Sequence, residues 1–261
     1  MALDDPFAVE ALAELPLSPA PLVRVLAQLR FPAITSLARA EFVAPFQEAL
    51  RRTYPILRVE QAPNVSINGA AVALGSAPTW RLHDKADAWR ISFSQDFVAL
   101  ETVSYGSRSD FFARWEEVLS ALHEVAELST YDRHGVRYIN RLTGSDLADL
   151  RTLIRTEILG VSATPFAATL EQSLCESRFR RETTNLNARW GILPANATTD
   201  PGIEPVNEPS WILDLDMFAG GHKDFQVSAA IAEGITFAER LYAFFRWSVT
   251  DELLRRRGGL R

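Results

Sequence analysis

One order of elements runs through this chain twice, and it limits the folds available more than any single motif does. A strand, a helix, an antiparallel meander and a long helix succeed one another over roughly 22–128 and again over 133–257. The repeat lies in the order of periodicities, not in identical residues. In the first pass Leu22, Val23, Val25, Leu26 and Leu29 mark a strand to Phe31, and Phe42, Phe46 and Leu50 recur at helical spacing to Thr53. Pro45 then belongs in the first turn of that helix, where its missing N–H is harmless. Ile56–Glu60 reads as a short strand and 61–78, rich in Pro, Gly and Ala, as an irregular excursion. Trp80–Asp84, Trp89–Ser94 and Phe97–Tyr105 follow across turns short enough for hairpins. A helix entered at Ser109-Asp110 buries Phe111, Trp115, Val118, Leu122 and Val125.

The second pass opens with a strand over Arg133–Leu142 and a helix over 145–159 stopped by Gly160. Strands over Leu170–Glu182, Asn185–Leu193 and Trp211–Phe218 lead to a last helix with a capping box at Thr236 and Glu239, ended by Gly258. The predicted fold class is therefore α+β, a duplicated strand-helix-antiparallel meander-helix unit in two pseudo-symmetric halves, long helices packed on antiparallel sheet. The division is a lead-in over 1–21, a half over 22–130 and a half over 131–261, packed as one unit. Within the lead-in a short helix is expected over Phe7–Leu15, before Pro16, Pro19 and Pro21. The sixteen residues Pro194–Pro209 exceed an ordinary hairpin loop and read as a lid or a mobile segment.

Composition narrows the setting. Hydrophobic residues are 47% and charged ones 23%, ordinary for a globular chain, and a net charge of −6 suits no whole-surface nucleic-acid binder. The one cysteine, Cys175, cannot close an internal disulfide and reads as a buried apolar residue in a reducing compartment. The first residues are acidic where a leader would be basic, and no stretch approaches the ~18 apolar residues of a membrane helix. A cytoplasmic location, away from membranes, is the expectation.

Catalytic signatures are missing: there is no phosphate-cradling glycine loop, no GxSxG and no CxxC. His123-Glu124-Val125-Ala126-Glu127 has Glu where a zinc helix needs its second His. The charged strand positions are the richer signal. In Ile212-Leu213-Asp214-Leu215-Asp216-Met217, alternation puts Asp214 and Asp216 on one face, about 7 Å apart. Arg133, Arg137, Ile139 and Arg141 share one face of their strand, with His134, Val136, Tyr138 and Asn140 on the other. Arginine–carboxylate pairs between these strands would neutralise both sets. Arg30 and Glu101 echo the pairing in the first half. Arg178, Arg180 and Arg181 form the densest basic cluster, which with Arg133, Arg137, Arg141 and Arg189 would line a groove for an anion, a nucleotide or RNA.

Leu15-Pro16-Leu17, Ala20-Pro21-Leu22-Val23 and Gln28-Leu29-Arg30-Phe31-Pro32 resemble the opening of an uncharacterised, sporadically distributed family of bacterial proteins of similar length. Tyr54-Pro55, Val136-Arg137-Tyr138-Ile139-Asn140 and Trp211…Leu213-Asp214-Leu215-Asp216 resemble its later landmarks. That family has no established activity; its patchy distribution implies defence-related or mobile islands.

The functional expectation is a non-enzymatic ligand-binding or protein-interaction module. Its candidate site is a cleft shared by the halves and lined by Arg137, Tyr138, Asn140, Arg141, Asp214 and Asp216. One alternative is a metal-dependent hydrolase or nuclease in which Asp214 and Asp216, with His222 or Glu176, hold the metal. The other is an RNA-binding protein working through Arg178–Arg181. The sequence specifies no cofactor, and the partner is a small ligand or a protein; a homo-oligomer is compatible with it.

Overall fold

The computed structural model describes residues 5–8, 11–68, 71–200 and 204–260, and of 62–68 and 71–77 the backbone alone. In chain order the elements are β1 (Leu22–Arg30), α1 (Ala40–Leu50), β2 (Ile56–Asn68), β3 (Ala71–His83), β4 (Trp89–Phe93), β5 (Phe97–Thr102) and α2 (Arg108–Ala126). There follow β6 (Thr130–Leu142), α3 (Gly144–Ala148), α4 (Leu150–Leu153), α5 (Thr156–Leu159), β7 (Ser173–Arg181), β8 (Thr184–Leu193), β9 (Ser210–Asp224), α6 (Val227–Ser248) and α7 (Asp251–Arg256). Short 3-10 turns precede α1 and follow α5. The strands form one antiparallel sheet in the order β2-β3-β4-β5-β1-β6-β9-β8-β7, so the protein is a mixed α and β fold as expected. No described helix is long and apolar enough to cross a membrane.

The chain divides into two compact units, neither continuous in sequence. One comprises residues 25–136 and 218–235, the other 1–24, 137–217 and 236–261. Their limits differ from a cut at residue 130, because β1, β6, β9 and α6 each contribute to both.

In the unit of 25–136 and 218–235, β4 alternates Trp89, Ile91 and Phe93 inward with Arg90 and Ser92 outward. Leu82, Ile91 and Leu100 share one row of the β3–β4–β5 register and are wholly buried. Phe46 of α1 meets Phe93 with ring centroids 4.6 Å apart. Each such side chain contributes about 1.5–3 kcal/mol by leaving water. α2 is capped by Ser107, not Ser109: its side chain accepts the Asp110 N–H at 3.2 Å, the bond an N-cap makes to the third helical residue. In the other unit Leu213, Leu215 and Met217 of β9 are fully buried, as are Leu241 of α6 and Leu186 of β8.

Several expected elements take other forms. The segment 61–78 is no irregular excursion but the greater part of a long β2–β3 hairpin, paired from Ile56↔His83 to Asn68↔Ala71. Pro63 is tolerated because β2 is an edge strand, and Pro78 because β3 meets β4 only from Trp80 onward. α1 starts two residues before Phe42, leaving Pro45 in its interior. The helix expected over 145–159 is three short pieces, broken at Asp149 and at Ile154, which is extended and bridges Val249. α6 begins nine residues before Thr236, so the expected capping box is helix interior. No helix forms among the described residues of Phe7–Leu15. Cys175 is exposed on β7 and not buried, because β7 is the other edge of the sheet.

Candidate functional site

The candidate cleft residues Arg137, Tyr138, Asn140, Arg141, Asp214 and Asp216 all belong to the unit of 1–24, 137–217 and 236–261. β6 presents Arg137 and β9 presents Asp214, and the two form a bidentate pair: Arg137 Nε and Nη2 donate to the two Asp214 oxygens at 2.7 Å each. Arg189 of β8 donates a further hydrogen bond to Asp214 Oδ2 at 3.0 Å. Asp200, from the segment before β9, takes Arg137 Nη1 at 2.5 Å. Burial works to lower the Arg137 pKa, and the bonds and charge of Asp214, with Asp200 and Asp216, overcome it and hold the guanidinium's pKa raised. Asp214 is 3% exposed. A buried carboxylate is stable only when hydrogen-bonded charge surrounds it, and this one meets two arginines.

The remaining candidates separate. Asp216 is half-buried and, with Glu176 and Asn187, lines a polar hollow of about 150 Å³ beside Arg137, Arg189 and Asp214. Arg141 does not reach Asp216; it donates to the Glu204 carbonyl at 3.2 Å, and burial lowers its pKa. Tyr138 and Asn140 are buried, and Asn140 donates to the Leu213 carbonyl at 3.3 Å. Alternation along β6 turns both away from Arg137, so they line no common cleft with it. The described residues of the 194–209 loop are tied down, through Asp200, Glu204 and the Asn196 N–H to the Val206 carbonyl.

The residues behind the two alternative chemistries are spread over both units. Among the described residues no three His, Cys, Asp or Glu side chains gather to hold a metal. His222 is exposed and hydrogen-bonds Asp132 at 3.1 Å in the other unit, away from the role expected for it. The arginines of the expected basic groove each have a partner within the chain, Arg133 on Gln28 and Arg141 on the Glu204 carbonyl among them. Arg178 donates to Asn187, Arg181 to Asp5 and Arg180 to the Glu182 carbonyl, while Arg137 and Arg189 are committed to Asp214. Arg30 and Glu101 do not pair: Arg30 binds Asp96, and Glu101 binds Arg90 on the neighbouring strand. Their register explains it, since Glu101 stands opposite Leu26.

Two features escaped the sequence reading. A cleft of about 740 Å³ lies in the unit of 1–24, 137–217 and 236–261, lined by Leu147, Leu150, Ala167, Ala168, Leu170 and Ile192, with Arg151 and Glu171 among the polar residues. Beside it in sequence Phe166 is 72% exposed. The broken 144–169 segment builds one wall, and a continuous helix there would have hidden the cleft from view. In the other unit, Trp115 Nε1 donates to His134 Nε2 at 3.3 Å, which fixes the His134 proton on Nδ1, 3.1 Å from Glu233 Oε2. Tyr131 and Lys223 also bind Glu233, at 3.2 and 2.5 Å. Neither cavity described above is lined by this cluster, which ties β6 to α6.

Burial works to raise the Glu233 pKa, but hydrogen bonds from His134 and Lys223 outweigh it and the pKa is lowered. A folded value below the unfolded one, about 4.3, means that this stabilisation is fully present above that value. It is lost as pH falls through the depressed folded value. Glu233→Gln should therefore flatten the acid limb of stability: urea unfolding between pH 3 and 7 shows a shallower decline than the parent, and an identical decline would refute the assignment.

Comparison with known proteins adds no functional precedent: no family model matches the chain and no curated protein matches it.

Proposed function

We propose that this protein is a non-enzymatic binding module and that the 740 Å³ cleft beside Phe166 is the seat of a small, mostly apolar ligand. The cleft carries the reading. Its volume falls within the range of about 300–1,000 Å³ typical of ligand sites, and its lining is largely aliphatic with a few polar groups. The Arg137–Asp214–Arg189 cluster supports a binding role over catalysis, because its strongest donors and acceptors already satisfy one another.

The dye 1-anilino-8-naphthalenesulfonate serves as the probe. It should bind saturably with a rise in fluorescence, and Ala168→Trp, which sets a bulky ring into the cleft, should weaken it at least tenfold at unchanged melting temperature. No binding by the parent, or equal binding by the variant, overturns the proposal.

Duplication of an ancestral half belongs to the same reading. The sheet steps outward from β1 through β5, β4 and β3 to β2, and likewise from β6 through β9 and β8 to β7. Glu101 with Arg90, and Asp214 with Arg189, set a buried carboxylate on corresponding strands against an arginine from the preceding one. Membership of the sporadic bacterial family, with a defence-related role in a reducing cytoplasm, completes the proposal; the single cysteine is compatible with that compartment.

A further inference from the structure

Among the described residues no strand pairs with the outer edge of β7. Its register with β8 runs from Ser173↔Ile192 to Arg181↔Thr184, leaving a two-residue turn. The pair closing such a turn is hydrogen-bonded, so the odd-numbered residues of β7 bond to β8. The N–H and C=O groups of Leu174, Glu176, Arg178 and Arg180 then point outward, and these four residues are exposed. The opposite edge, β2, carries Pro63 in its length, which blunts it as a template, whereas β7 contains no proline.

We propose that β7 pairs antiparallel with β7 of a second copy of this chain, about a twofold axis at Ser177. Charge selects the register. Centring on Glu176 or on Arg178 would set like charges face to face, which is destabilising. Centring on Ser177 sets Glu176 opposite Arg178 of the second copy, twice, and uses the outward-pointing groups of both strands. Leu174 then lies under the aliphatic stem of the opposing Arg180, and Cys175 lies opposite Phe179, a residue already against Phe244. Charge complementarity, exposure and an uninterrupted edge together commit the surface to a second copy.

A single strand pair buries less than a standard interface, so the dimer is weak, with a dissociation constant on the order of micromolar. Sedimentation velocity of the full chain from about 1 to 200 µM should show a reversible monomer–dimer equilibrium. Glu176→Lys and Arg178→Glu should each raise the dissociation constant at least tenfold, and the double swap should restore it. Arg178→Pro removes the outward N–H together with the guanidinium and should also abolish the dimer, with unfolding curves confirming that each variant folds. A monomer throughout that range, or a dimer indifferent to these substitutions, overturns the proposal.

Discussion

Asp214→Ala is expected to destabilise the protein by about 3–5 kcal/mol, the cost of breaking a buried ion pair from one side. The carboxylate is 3% exposed and accepts three guanidinium hydrogen bonds, two from Arg137 and one from Arg189. Removing it leaves two half-buried arginines facing each other, with Asp200, Asp216 and Glu176 as partial compensation. Urea unfolding monitors the loss as a lower midpoint at similar slope. The pair Arg137→Leu with Asp214→Leu should cost less than the sum of the two single changes, because the second removal takes away a charge already stranded by the first. Full additivity, or a loss under about 1 kcal/mol, would show that the cluster is not the structural tie described above. It would also return Asp214 to consideration as a chemical group.

Gly191→Ala should be comparably damaging, for a reason independent of charge. Gly191 sits in β8 at φ +146°, and a Cβ built there would lie 1.8 Å from the Ser173 carbonyl oxygen and 3.0 Å from Leu174 Cα, both backbone atoms of β7. Backbone cannot rotate away as a side-chain tip can. The strand pair must open locally, and a loss of about 3 kcal/mol or more is expected. Gly220→Ala is the matched control: it meets nothing within 4 Å and should change stability by less than about 0.5 kcal/mol. Equal behaviour of the two variants in urea unfolding would contradict the close approach of β7 and β8.

How far such features are visible in the sequence depends on their range. Alternation alone put Asp214 and Asp216 on one face and Arg137 opposite Tyr138 and Asn140, since side-chain direction has period two whatever the strand pairs with. The interior Gly191 of a strand pattern is a recognised mark of close backbone approach. The long β2–β3 hairpin was masked because Pro63, Pro78 and Gly75 weigh against a strand locally; an edge position and a stretch of β3 with no second neighbour relieve them. The early start of α6 was masked for the opposite reason: the Thr236…Glu239 spacing imitates a cap inside a helix already nine residues long.

Local periodicity therefore sufficed for the mixed α and β class, the faces of most strands and the inventory of charged residues. The choice of partner needed long-range geometry. That Asp214 takes Arg137 and Arg189, that Arg141 turns to the Glu204 carbonyl, and that Glu101 takes Arg90 instead of Arg30 follow from strand order and register. Those are set by which apolar faces pack together across distances of up to ~100 residues, a term to which a short sequence window is blind. The 740 Å³ cleft belongs to the same class, because a cavity is a property of walls brought together from 147–171 and 192–209, and neither segment encloses anything alone.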